Sequence, residues 1–197
     1  MDLCTYHSHC NFCDGKAPAE DFVKAAIEAG FHSYGISSHS PLPFETRWSL
    51  SKGNVEAYLT EIKRLQEKYA GQIELYVGME IDYLNDDWGP AVEYFQRMPL
   101  DYRIGSVHLV TEEQTGEIMD MDGKFEDFRE NLRLVFHDDL RYLVEAYFKA
   151  SSRMVELGGF DFVAHLDKIS MNGSLIDSTL TEQEWYNRLL WDYMSLI

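Results

Sequence analysis

The chain is poor in cysteine, poor in basic residues and free of long apolar runs. Its three cysteines, Cys4, Cys10 and Cys13, crowd one end of 197 residues. An odd, clustered set is no disulfide framework. Cys10-x-x-Cys13 has the spacing of half a zinc or redox motif, but no second pair follows, so both read as free thiols beside the first loop. Lysine and arginine number 17 against 34 acidic residues, a net charge of −17. That balance argues against nucleic acid and anionic membranes as general partners. It leaves open a small phosphorylated substrate, because bound metal ions reverse the local field. No apolar run approaches the roughly 20 residues of a membrane span. The start, Met1-Asp2-Leu3, carries no signal peptide, and the expectation is a cytoplasmic protein.

What is present is an alternation of strand and helix patterns with no repeat, linker or low-complexity segment, which predicts one α/β domain over 1–197. Pro18 and two acids open a first helix that Gly30 stops. Asn54 is expected to cap a second helix carrying Val55, Leu59, Ile62, Leu65 and Tyr69 at helical spacing. A short helix is expected around Pro90 to Phe95, and Glu112 to Gly123 reads as a loop or hairpin. A long helical pattern runs from Phe125 to Leu157 with a break near His137-Asp138-Asp139, ended by Gly158-Gly159. Thr181 and Glu184 suggest a capping box for a last helix with Trp185, Leu189, Tyr193 and Leu196 on its apolar face.

The histidines fall in a pattern. Short apolar runs bounded by turn residues read as buried strands. Such runs lead into His7-Ser8-His9, into His39, into Glu80, into His108 and into His165. On an extended segment residues i and i+2 face one side, so His7 and His9 can reach one ion. A ligand-type residue at the exit of each successive strand suits a metal centre at the mouth of a β/α barrel. His32 and His137 fit no motif and read as structural or surface residues; Asp82 is a candidate for orienting a ligand.

These pieces resemble the polymerase and histidinol phosphatase (PHP) family, and within it the histidinol-phosphatase branch. The resemblance rests on His7-Ser8-His9 with Asp14-Gly15 behind it, Ser37-Ser38-His39-Ser40-Pro41, Gly78-Met79-Glu80-Ile81-Asp82, Gly105-Ser106-Val107-His108 and Ala164-His165-Leu166-Asp167-Lys168. The resemblance implies a distorted (β/α)7 barrel with up to three divalent ions at the C-terminal strand ends. His7, His9 and Glu80 would hold the first ion. Glu80 would bridge to a second, held by His108 and His165. His39 and Asp14 would hold a third. Imidazole mixed with carboxylate suits Zn, Mn or Fe alike.

Water on such an ion ionises near about pH 7, so no protein nucleophile is required. Lys168 and Arg47 are candidates to bind the substrate phosphate. The implied reaction is hydrolysis of L-histidinol phosphate in histidine biosynthesis. The alternatives are another phosphoesterase of the family, or a truncated metal-binding chain with little activity. Complete members carry a late Asp-x-His motif whose residues are both ligands, and nothing here matches it. The expectation is therefore a barrel short of roughly its last two strands, self-associating through the strand edges this would leave.

Overall fold

A computed structural model describes residues 3–197. The chain divides into two compact units, and it passes between them more than once. One comprises residues up to 81 with 93–104 and 159–162; the other comprises 82–92, 105–158 and 163–197. The elements are β1 (Leu3–Thr5), α1 (Ala19–Glu28), β2 (Phe31–Ile36), α2 (Val55–Lys68), β3 (Glu74–Asp82), α3 (Glu93–Gln96), β4 (Tyr102–Ser106), β5 (Leu109–Thr111), β6 (Ile118–Asp120), α4 (Phe125–Val135), α5 (Leu140–Leu157), β7 (Phe162–Val163), α6 (Ile169–Ile176) and α7 (Glu184–Met194).

Five strands form one sheet in the order β1-β2-β3-β4-β7, and β5 pairs with β6. β1, β2 and β3 are parallel neighbours, with Thr5 opposite Tyr34 and Ile36 opposite Val77. Sheet order follows chain order, so there is no reversal of the kind that marks a doubly wound fold. Steady progression with intervening helices is how a barrel wall is laid down. In β3, Val77 to Asp82 are buried without interruption, as in a parallel sheet covered on both faces.

In the first unit α2 buries Tyr58, Ile62 and Leu65 at helical spacing. The Tyr58 hydroxyl lies 2.8 Å from the Ile36 carbonyl oxygen and 2.7 Å from that of Gly78. It thereby ties the helix to the ends of β2 and β3. Tyr102 lies across the sheet and donates its hydroxyl to the Tyr6 carbonyl. A Cβ on Gly78 would stand 2.2 Å from the Tyr102 ring, which is why this apolar strand carries a glycine.

In the second unit the expected break separates α4 from α5. His137 and Asp138 take positive φ (56° and 63°), and Asp139 then caps α5 by accepting from the Tyr142 amide. The 112–123 region is a hairpin, with Val110 opposite Met119.

Three local expectations change. Asn54 closes a 3-10 turn (Lys52–Asn54) and is itself near-helical, so its side chain makes no cap. The Thr181 capping box does not form, because a 3-10 turn over Leu180–Glu182 precedes α7 and Gln183 takes the position before it. The buried face of α7 is Tyr186 and Tyr193, both packed on Phe148, while Leu196 is exposed and the half-buried Trp185 carries the Arg141 guanidinium. Helix α6 was not expected. Its centre, Asn172-Gly173, is turn-like in composition, and Asn172 is held by donating to the Met121 carbonyl.

Gly78→Ala is expected to cost about 1–3 kcal/mol through overpacking against Tyr102. A urea midpoint equal to wild type would contradict that account.

Candidate metal centre

The histidines sit two or three residues past their strands: His7 after β1, His39 after β2, His108 after β4 and His165 after β7, while Glu80 lies within β3. The backbone explains the placement. Between His7 and His9, Ser8 turns toward β2, donating its hydroxyl to the Gly35 carbonyl while its own carbonyl accepts from the Ser37 amide. That leaves both imidazoles on the other side, as the period of an extended segment requires. The parallel ladder then continues past β2: Glu80 N–H donates to Ser38 and Ser40 N–H donates to Glu80, which sets His39 beside Glu80.

The first unit brings five expected residues together. One carboxylate oxygen, Glu80 Oε2, has His7 Nε2 at 3.0 Å, His9 Nε2 at 3.2 Å and His39 Nδ1 at 3.2 Å. Asp14 Oδ1 lies 3.3 Å from His9 Nδ1 and 3.9 Å from His39 Nε2. His7, His9 and Glu80 form one group with ligand geometry; His9, Asp14 and His39 form another. Glu80 is buried to 1% exposure, and a buried carboxylate needs partners of this kind. Each group, imidazole mixed with carboxylate, suits a divalent ion of the zinc, manganese or iron type. Trp48 packs edge-on against His39, and the exposed Arg47 precedes it in the same loop.

Cys13 is part of this surround, which the reading of the cysteines as plain free thiols missed. Its sulfur is 3.6 Å from His9 Nδ1 and 3.5 Å from Asp14 Oδ1. The cues in the sequence are the Cys10-x-x-Cys13 spacing and its place one residue before Asp14. Burial works against a charged His9, but the hydrogen bonds with Cys13 and Glu80 outweigh it and push its pKa up to about 10. Burial likewise raises the Cys13 thiol, and the bond to His9 reverses this, leaving it below its ordinary value.

The second unit holds the other two histidines. Buried Asp82 Oδ1 accepts from the His108 backbone amide at 2.9 Å and lies 2.9 Å from His108 Nδ1. With Nδ1–H donating to Asp82, His108 Nε2 carries the lone pair, and it meets His165 Nε2 at 3.0 Å. A carboxylate behind a ligating imidazole fixes tautomer and ring orientation. The Tyr147 hydroxyl supports the following segment, donating to the His165 carbonyl and accepting from the Lys168 amide. Lys168 Nζ pairs with Asp122 Oδ2 at 2.9 Å. Asp122, at the exit of the β5–β6 hairpin, had no signal in the sequence. His32 pairs with Glu74 at the surface and His137 forms the helix break, as their lack of a motif suggested.

Two outcomes follow. Asp82→Ala removes the orienting acceptor behind His108 and is expected to weaken zinc binding about 10–100-fold by competition with a chelating dye; unchanged affinity would exclude the orienting role. In ion-free protein, a His9 pKa raised from 6.5 contributes stability that is full below pH 6.5 and is lost as pH rises through about 10. Urea midpoints across that window should therefore fall for the wild type more than for His9→Ala.

The curated histidinol-phosphatase of Bacillus subtilis is 26% identical over 135 residues, covering 59% of this chain and 47% of that protein. A protein of Deinococcus radiodurans assigned as a histidinol-phosphatase is 29% identical over 114 residues, covering 54% of this chain and 42% of its own length. The chain thus matches less than half the length of these curated relatives. A solved structure of a Listeria monocytogenes protein assigned as a histidinol phosphatase superposes with a TM-score of 0.79 at 23% identity, covering 98% of this chain and 78% of that one. The histidinol phosphate phosphatase of Lactococcus lactis, solved with zinc, L-histidinol and phosphate, gives a TM-score of 0.64 at 21% identity over 85% of this chain and 59% of its own. At these identities the two structures establish the α/β fold. The family model for the PHP domain matches residues 5–197, and the chain belongs to that family.

Proposed function

We propose that this chain is a metal-dependent phosphatase acting on L-histidinol phosphate in the cytoplasm, built on part of a PHP-type (β/α)7 barrel and holding up to three divalent ions. The observation that carries the proposal is the convergence of three imidazole nitrogens on Glu80 Oε2. Sequence kinship to histidinol-phosphatases supports the choice of substrate.

His7, His9 and Glu80 would hold one ion, Asp14 and His39 another, and His108 with His165 a third. Bound ions would supply an activated water and offset charge developing on the phosphate. The chain's own part is to fix the donors and to bind the phosphate. Lys168, now paired with Asp122, would turn its ammonium to a phosphate oxygen, and the exposed Arg47 is the second cation for that task. Hydrolysis of a phosphomonoester is slow enough unaided to need this concentration of positive charge.

Protein loaded with zinc or manganese is expected to release phosphate from L-histidinol phosphate, and chelation should abolish the activity. Glu80→Gln should lower turnover by more than about 100-fold, since even partners behind a ligand cost about 10–100-fold. Lys168→Ala should raise KM about 10–100-fold, the worth of one hydrogen bond to a charged group. Metal-loaded protein that hydrolyses other phosphomonoesters but not this one would overturn the substrate; failure to bind any ion would overturn the site. We also propose self-association through the outer strands β1 and β7 of the sheet. A monomer by light scattering at micromolar concentration would refute that part.

A further inference from the structure

We infer that Cys13 is a sulfur ligand of the ion held by Asp14 and His39, making that position zinc-selective. The inference rests on the metal-site reading above and extends it to a residue outside the family pattern quoted for this chain.

Asp14 and His39 by themselves offer one oxygen and one nitrogen, 3.9 Å apart. Zinc sites use about three protein donors when open and about four when closed. A further donor within reach is therefore needed, and the Cys13 sulfur is placed for it, 3.5 Å from the same Asp14 oxygen. Zinc–sulfur and zinc–oxygen bonds of about 2.3 and 2.0–2.2 Å at the tetrahedral angle subtend an edge of about 3.5 Å. The Cys13–Asp14 separation is thus the edge a shared ion requires.

His9 completes the argument. In the proposed site its Nε2, 3.2 Å from Glu80 Oε2, serves the ion held with Glu80, so its other nitrogen, Nδ1, would carry the proton. That N–H lies 3.3 Å from Asp14 Oδ1 and 3.6 Å from Cys13 Sγ, and it orients both without being a third ligand. The position of the sulfur is fixed by the backbone. Cys13 N–H and Gly15 N–H both donate to the Cys10 carbonyl. A Cβ on Gly15 would stand 2.5 Å from the Cys10 backbone, so the tight turn presenting Cys13 and Asp14 requires glycine there. In the ion-free chain the thiol has two acceptors, Asp14 Oδ1 and the Cys10 carbonyl, each at 3.5 Å. Binding an ion replaces the thiol proton, which leaves to solvent, and no redox change occurs. A thiolate donor favours zinc over manganese at this one position.

A cysteine that merely accepted a hydrogen bond from His9 would also weaken metal binding on removal, so affinity alone does not discriminate. Direct ligation gives cobalt(II) an intense near-ultraviolet sulfur-to-metal charge-transfer band. The full chain would be stripped with chelator and reconstituted with cobalt(II), with bound cobalt measured by elemental analysis and by its visible ligand-field bands. The expected result is a charge-transfer band in wild type that is lost in Cys13→Ser and kept in Cys4→Ser and Cys10→Ser.

Cobalt bound with ligand-field bands but no charge-transfer band would overturn the inference and leave the metal-site reading standing. A band that survives Cys13→Ser, or is lost in Cys10→Ser alone, would overturn it too. Absence of any bound cobalt after reconstitution would overturn both. Circular dichroism of the Cys13→Ser variant separates loss of a ligand from loss of fold.

Discussion

A carboxylate buried in the interior of a sheet has to be met by compensating groups, and Glu80 is that carboxylate. It lies near the end of a strand whose neighbours are apolar, at 1% exposure. An isolated charge there would be expensive enough to neutralise the group or unfold the strand. The first unit answers with imidazoles from the exits of β1 and β2, held by the Ser8 contacts and by the ladder from Ser38 to Ser40. Tyr58, fully buried in α2, anchors the same strand ends from behind. Packing and the proposed function are thus one arrangement in this unit: the imidazoles that stabilise Glu80 are also the donors of the proposed ligand set.

The second unit uses a different economy of parts. Here the buried acid, Asp82, stands behind an imidazole, and it uses one oxygen both to hold the backbone of His108 and to set its ring. The hairpin, α5 and α6 serve that placement. Tyr147 braces His165 and Lys168, and Asn172 fixes the exit of the hairpin that bears Asp122. The ion pair with Asp122 holds the half-buried Lys168 ammonium in place. Such a pair contributes modestly to stability and more to where the charge is kept.

Most of the element order was legible because strongly periodic or strongly apolar segments leave little freedom. The run through β3, the stripe of α2 and the break at His137–Asp139 all follow from side-chain period and turn chemistry. What was misread is at the helix starts. Asn54 and Thr181 have the right side chains for caps, but 3-10 turns carry the chain into both helices and put those residues out of position. On α7 the expected Tyr193 is buried, but Tyr186 takes the place expected for Trp185, because Phe148, distant in sequence, packs on both tyrosines. Helix α6 has no periodic stripe and is held by contacts that no local window contains.

By itself the sequence determined that His7, His39, His108 and His165 follow strands, since run length decides where a strand ends and which side chains come next, while Glu80, expected at an exit, lies inside β3. The tight turn that carries Asp14 behind His9 came from the structure, where a Cβ on Gly15 would meet the Cys10 backbone. The tertiary structure decided which donors meet. The gathering of three imidazoles at one oxygen of Glu80, the placing of Asp82 behind His108, and the pairing of Asp122 with Lys168 all depend on distances between segments far apart in the chain. Period and propensity act over a few residues, whereas a metal-type site is a statement about angstroms between strands, and only the packed sheet supplies that.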